Sequence, residues 1–160
     1  MTTKVRRSLV KTFLNTTPSS AATYALIGDG VVTGKIAYNP KVSDETYINA
    51  DNATISVDSY APKMAVEQTA LVGDAVFTFV DALRVARAIL NDAETDIVNV
   101  WAYKAGGPTA YPAEKQTVSI QIDDFGGEGG GVTKINYTVN YIGTPVPGTF
   151  NTGTSAFTPS

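Results

Sequence analysis

Cysteine and histidine are both missing from this chain of 160 residues. Without cysteine there is no disulfide framework and no thiolate nucleophile. Without histidine there is no side chain whose unperturbed pKa lies near 7, and no imidazole to hold a metal. A serine nucleophile would depend on a lysine base, and nothing in the pattern sets two carboxylates across an aromatic-lined cleft. Charge is scarce too, at 17% of residues. No stretch approaches the roughly 18–20 consecutive apolar residues of a membrane span. No apolar block of the signal-peptide kind follows Met1, so the product is expected to stay in the cytoplasm where it is made. Together these absences argue against an enzyme, a cofactor, a metal centre and a membrane partner.

What is present can build a core. Apolar residues make up 43% of the chain, and the length suits one domain with arms. The net charge of −3 is unevenly spread. Lys4, Arg6, Arg7 and Lys11 supply four of the twelve bases, and no acid precedes Asp29. The remainder holds eight bases against fifteen acids, a net charge of −7. Such a body is a poor nucleic-acid binder, because affinity there comes from cations that displace phosphate counterions. The basic start reads either as a solvated terminus or as an arm that docks Arg6 and Arg7 on an acidic neighbour.

Three parts follow in order: an N-terminal arm (1–22), a β-domain (23–143) and a C-terminal arm (144–160). Residues 12–22 are rich in Thr, Ser and Ala and read as linker. Thr23 to Ile27 and Lys35 to Tyr38 read as short strands around Gly28-Asp29-Gly30. That turn lacks the glycine spacing and the following helix of a phosphate loop. Residues 39–69 form a long polar excursion with strand pieces at Tyr47-Ile48 and Ile55 to Val57. Tyr47, Ile48, Ile55, Val57 and Tyr60 would be a liability if left bare, which favours an arm covered by a partner over a solvated loop. Asp74 then caps a helix expected over 74–91, with Val76, Phe79, Val80, Leu83, Ala86 and Leu90 on one face. Thr95 to Tyr103 is apolar on both sides and reads as a central strand. A loop over 104–112 leads to the longest signal in the chain.

That signal lies in residues 113–143. Val118, Ile120 and Ile122 alternate with Thr117, Ser119, Gln121 and Asp123. Beyond a turn with five glycines, Ile135, Tyr137, Val139 and Tyr141 alternate with Lys134, Asn136, Thr138 and Asn140. A period of two predicts two strands of an antiparallel hairpin, each with an apolar and a wet side. Asp123, Asp124 and Glu128 at the tip read as solvated turn acids rather than cation ligands, because five glycines would leave them poorly fixed. Asp92, Glu94 and Asp96 read likewise, because they lack the pattern of a calcium loop. Asn15, Asn52 and Asn136 open glycosylation sequons that the lack of a secretory signal reduces to chance matches. The tail, with Phe150 and Phe157, reads as an extended arm with two hydrophobic anchors.

Several segments together resemble the major tail (tail tube) proteins of long, non-contractile-tailed bacteriophages. They include Thr23-Tyr24-Ala25-Leu26-Ile27-Gly28-Asp29-Gly30, Ile36-Ala37-Tyr38-Asn39-Pro40, Glu45-Thr46-Tyr47-Ile48 and Asp58-Ser59-Tyr60-Ala61-Pro62. Tyr111-Pro112-Ala113-Glu114-Lys115-Gln116, Ile120 to Gly127 and Lys134 to Thr138 continue the likeness, which spans about residues 13–150. None of these is a chemical motif; the likeness lies in their number and order. The resemblance implies a mainly β fold with one α-helix, a β-sandwich or barrel flanked by that helix, with extended loop and terminal arms. It also implies hexameric rings stacked into a hollow tube in the virion tail, assembled in the host bacterial cytoplasm. The implied partners are further copies of the chain, the tape-measure protein, the tail terminator and the distal tail protein, with DNA passing through unbound. On this reading Tyr47, Ile48, Ile55, Val57, Tyr60, Arg6, Arg7 and Phe150 make contacts between subunits or rings. Thr117, Ser119, Gln121, Asp123, Asn136, Thr138 and Asn140 are the candidates to face the lumen. Rival expectations are the tube of a phage-derived bacteriocin particle and a carbohydrate-binding or adhesive β-sandwich of a virion.

Overall fold

A computed structural model describes residues 1–104 and 106–160; Ala105, inside the expected 104–112 loop, lies outside them. In chain order the elements are β1 (Val10–Asn15), β2 (Tyr24–Leu26), β3 (Val31–Ala37), β4 (Lys41–Glu45), β5 (Thr54–Ser59), β6 (Lys63–Thr69) and α1 (Ala75–Ala86). They continue with β7 (Glu94–Trp101), β8 (Ala110–Gly126), β9 (Lys134–Asn151) and β10 (Ala156–Pro159). Eight strands make one antiparallel sheet in the order β2-β1-β7-β8-β9-β6-β3, with β10 added along the far part of β9. The pair β4–β5 is a separate two-stranded ribbon. The sheet curls into a half-barrel, so the fold is mainly β with one helix, and the continuous sheet sits on the barrel side of the sandwich-or-barrel expectation.

One face of the sheet holds the main core. Leu14, Met64, Val66, Ile97, Val118, Ile120, Ile135, Tyr137 and Val139 are buried there beneath Val76 and Val80 of α1. The helix starts where expected, because the Asp74 carboxylate accepts a hydrogen bond from the Phe77 N–H. It stops short of the expected 91, since Arg87 turns left-handed (φ 49°) and Leu90 does so again (φ 52°). The chain must reverse there to enter β7, through a 3-10 turn at Leu90–Ala93 that buries Ala93 and leaves Leu90 81% exposed. Leu90 is thus removed from the predicted apolar face. Period alone carried the pattern across a reversal it does not encode.

The long ribbon β8–β9 explains the other corrections. Its pairing extends far beyond 113–143, from Ala110↔Asn151 to Gly126↔Lys134. Near its middle the register slips between Lys115 and Thr117. Gly143 adopts a positive φ of 71° there, and buried Gln116 donates to the Gly143 carbonyl at 2.8 Å. Beyond this bend Phe150 stacks on Phe13 with ring centroids 4.4 Å apart, joined by Tyr24. β9 and β1 stand three strand spacings apart, about 14 Å in a flat sheet, so this contact requires the curl. It closes a second core of Phe13, Val98, Val100, Ala113 and Phe150 on the opposite face. Pro112, expected in the loop, is tolerated in β8 because the β7 ladder ends one residue away at Val100↔Ala113.

Both expected arms therefore fold into the body. Residues 10–15 form the interior strand β1 rather than part of a linker, flanked by β2 and β7. Their polar groups are satisfied inside: Thr12 bonds to Asn99, and the Asn15 side-chain oxygen accepts from the Thr17 and Thr23 backbone N–H groups. Likewise 144–160 is not a free tail, since it supplies the end of β9 and all of β10. The excursion at 39–69 shrinks as well, because Lys63–Thr69 is a sheet strand with Met64, Val66 and Gln68 buried.

Candidate functional surfaces: a polar sheet face and a bare hairpin

The strand registers lay out the wet face row by row. Lys63, Asn140, Ser119 and Glu94 sit side by side across β6, β9, β8 and β7. Ala65, Thr138 and Gln121 form the next row, and Glu67, Asn136 and Asp124 the one after. A bulge between Ile122 and Asp124 puts two consecutive aspartates on this side, which strict alternation could not do. Thr138 donates to Asp123 at 2.7 Å, Gln121 to the same carboxylate at 2.6 Å, and Asn136 to Asp124 at 2.7 Å. Asn140 donates to Gln121 at 3.4 Å. Lys134 is paired with Glu67 at 2.6 Å. Gln121, Thr138, Asn140 and the Asn136 amide nitrogen thus bond to one another or to two carboxylates, whereas the buried Asn136 side-chain oxygen has no partner.

All seven residues expected to share the wet side do lie on one face, with Thr117 at its margin opposite exposed Ile142. Sequence reasoning missed Asp124, Glu67, Lys63, Glu94 and Asp96, which the register adds to the field. The bulge hides Asp124 from a period-two count, and the other four come from strands distant in sequence. Among the described residues no group of three or more acids is placed to hold a metal ion. Behind the face, burial pushes the Tyr141 hydroxyl up to about 12, an effect its hydrogen bond with Asn99 partly offsets. The Tyr137 hydroxyl is raised further, chiefly by burial, and donates to buried Gln68 at 3.2 Å.

The second surface is β4–β5. Every residue from Lys41 to Ser59 is exposed, including Val42, Ile55 and Val57, with Tyr47 and Ile48 at the tip. At the ribbon's root the Ala61 N–H donates to the Tyr38 carbonyl and Asn39 donates to the Ala61 carbonyl, joining its two legs, and the Tyr141 N–H donates to the Pro62 carbonyl, tying the root to β9. Tyr38 and Tyr60 meet edge to face across that root at 6.3 Å. With Pro40, Pro62, Trp101 and Glu114 they line an open groove of about 640 Å³. Burial raises the Glu114 carboxyl, opposed by Lys104.

The expected contact residues part company here. Tyr47, Ile48, Ile55, Val57 and Tyr60 are exposed. Arg6 is exposed too, whereas Arg7 is committed to the chain's own Gly34 and Val10 carbonyls. Phe150 is fully buried in the second core and is corrected: an aromatic sealed between Phe13 and Tyr24 has no face left for a neighbour. Ser8 and Lys11 stand at the Ser-x-x-Lys spacing of a serine nucleophile with a lysine base, so an expectation that no such pattern occurs does not hold. Ser8 belongs to an exposed 3-10 turn and Lys11 to a strand, and the described hydrogen bonds include none between them. No family model and no curated protein matches this chain.

Proposed function

We propose that this chain is a non-catalytic structural subunit that assembles into stacked hexameric rings, the hollow tail tube of a long-tailed bacteriophage. The observation that carries the reading is the bare hairpin. A ribbon with Val42, Ile55, Val57, Tyr47 and Ile48 in water, anchored only at its root, needs a cover that its own chain does not supply. A second copy is the simplest source of one. The polar sheet face is consistent with a conduit wall, since several of its amides and hydroxyls are bonded to one another or to Asp123 and Asp124, and it offers few unpaired cations and no aromatic platform for bases.

Negative-stain microscopy of the concentrated protein tests the reading. Hollow striated tubes are expected, and discrete monomers or trimers at every concentration would overturn it. The lumen assignment has its own check. Ser119→Arg combined with Thr138→Arg should leave rings intact but slow genome passage, and unchanged ejection would move the wall to another face.

A further inference from the structure

We infer that the acidic hairpin β4–β5 of one copy docks in a basic groove at the opposite end of β3 in the next copy. The inference rests on the tube reading and adds the receiving surface. Residues 41–59 carry Asp44, Glu45, Asp51 and Asp58 against the single base Lys41, a net charge of −3. Their exposed apolar side chains are interleaved with those acids. The complementary surface is a groove of about 390 Å³ lined by Arg7, Lys11, Leu26, Val31, Val32 and Gly34, together with Ser8, Val10 and Ile27. Two bases and no acid line it. The Arg7 guanidinium donates to the Gly34 and Val10 carbonyls, so it brings fixed positive charge to the groove rather than free donors, and Lys11 brings the second charge. Val32, at 98% exposure, and Leu26 offer it bare apolar surface. Acid plus apolar thus meets base plus apolar, which suits both the steering and the holding of a partner.

Geometry makes the contact intermolecular. The groove lies along the first half of β3, Val31 to Gly34, and the hairpin leaves the body beyond the strand's end at Ala37. Between groove and strand end lie roughly 10–20 Å of strand. The hairpin does not fold back, for every residue of it is exposed. Donor and acceptor are different surfaces. A copy that gives its hairpin to one neighbour and its groove to another therefore propagates head to tail, as the tube reading requires, whereas two copies that exchanged hairpins would close on a two-fold axis.

The lack of cysteine allows a clean test. Ile48→Cys and Val32→Cys are made singly and together, then oxidised at high protein concentration. The double variant is expected to run as a ladder whose disulfides, mapped by peptide mass spectrometry, join position 48 to position 32, with each single variant no larger than a dimer. A double variant that yields no species beyond those of the singles, or a ladder joined only 48 to 48 and 32 to 32, overturns the docking. A charge test accompanies it. Asp44→Lys with Glu45→Lys should reduce sedimenting assembly at least tenfold, and adding Lys11→Glu should restore much of it. Equal assembly of all three overturns the inference even where the wild type forms tubes, which leaves the tube reading standing. If the wild type forms no tubes, the 48-to-32 link alone decides: present, the docking holds without the tube; absent, both fail.

Discussion

The two ribbons β8–β9 and β4–β5 are written in the same alternating pattern and meet opposite fates. In β8–β9 the apolar side, with Val118, Ile120, Ile135, Tyr137 and Val139, is sealed under the helix and the curled sheet. In β4–β5 the equivalent side chains, Val42, Ile55 and Val57, remain at least half exposed. The difference teaches that alternation specifies a face, whereas burial requires a second element to meet it. The long ribbon has neighbours on both edges, β7 and β6, and a helix above; the short one has only its own partner strand.

The largest expected effect breaks the buried side of this comparison. Phe150→Ala should cost about 3–5 kcal/mol, because it opens a cavity between Phe13 and Tyr24 and frees the ribbon's folded-back end. Urea unfolding measures it, and a change below ~1 kcal/mol would mean that the second core is not closed in solution. Asp74→Ala should cost about 1–2 kcal/mol, since the carboxylate both caps α1 and accepts from buried Gln68 at 2.9 Å. Asp74→Asn, which keeps an acceptor oxygen, should recover most of the loss.

Alkaline pH probes the same buried side. Tyr141 has its folded pKa raised from 10.0 to about 12, and Tyr137 is shifted further in the same direction. Above pH ~10 the unfolded chain releases these protons while the folded chain keeps them, so stability is complete below that pH and falls as pH rises. Tyr141→Phe should flatten part of the fall, read by thermal unfolding between pH 9 and 11. Near-wild-type slopes would show that Tyr141 is hydrated. The smallest expected effect on stability belongs to the bare ribbon. Ile55→Ser with Val57→Ser should change the monomer's unfolding free energy by no more than ~0.5 kcal/mol, yet abolish assembly. A loss comparable with Phe150→Ala would place the hairpin in the chain's own core and remove its contrast with β8–β9.

Much of this was legible in the residues. The two-residue period marked the faces of β8 and β9, Asp74 marked the helix start, and the double-sided apolar run marked the buried strand β7. The misreadings share one cause. Thr12 to Asn15 runs into the Thr-, Ser- and Ala-rich stretch 16–22, and Thr149 to Asn151 lies among Thr, Pro and Gly, so both read as part of their linker-like surroundings. They are strands because Asn99 and the backbone of distant segments satisfy their polar groups.

The sequence by itself determined which side chains share a face, where the helix begins and which catalytic kits are missing, because spacing and residue chemistry are local. Only the tertiary structure decided which faces are covered. It set the Phe13–Phe150 closure, brought Glu67 and Asp124 to either side of Asn136, and left β4–β5 bare with a basic groove at the far end of β3. The physical reason is that burial depends on what comes back from elsewhere in the chain, and a strand's own pattern carries no record of it.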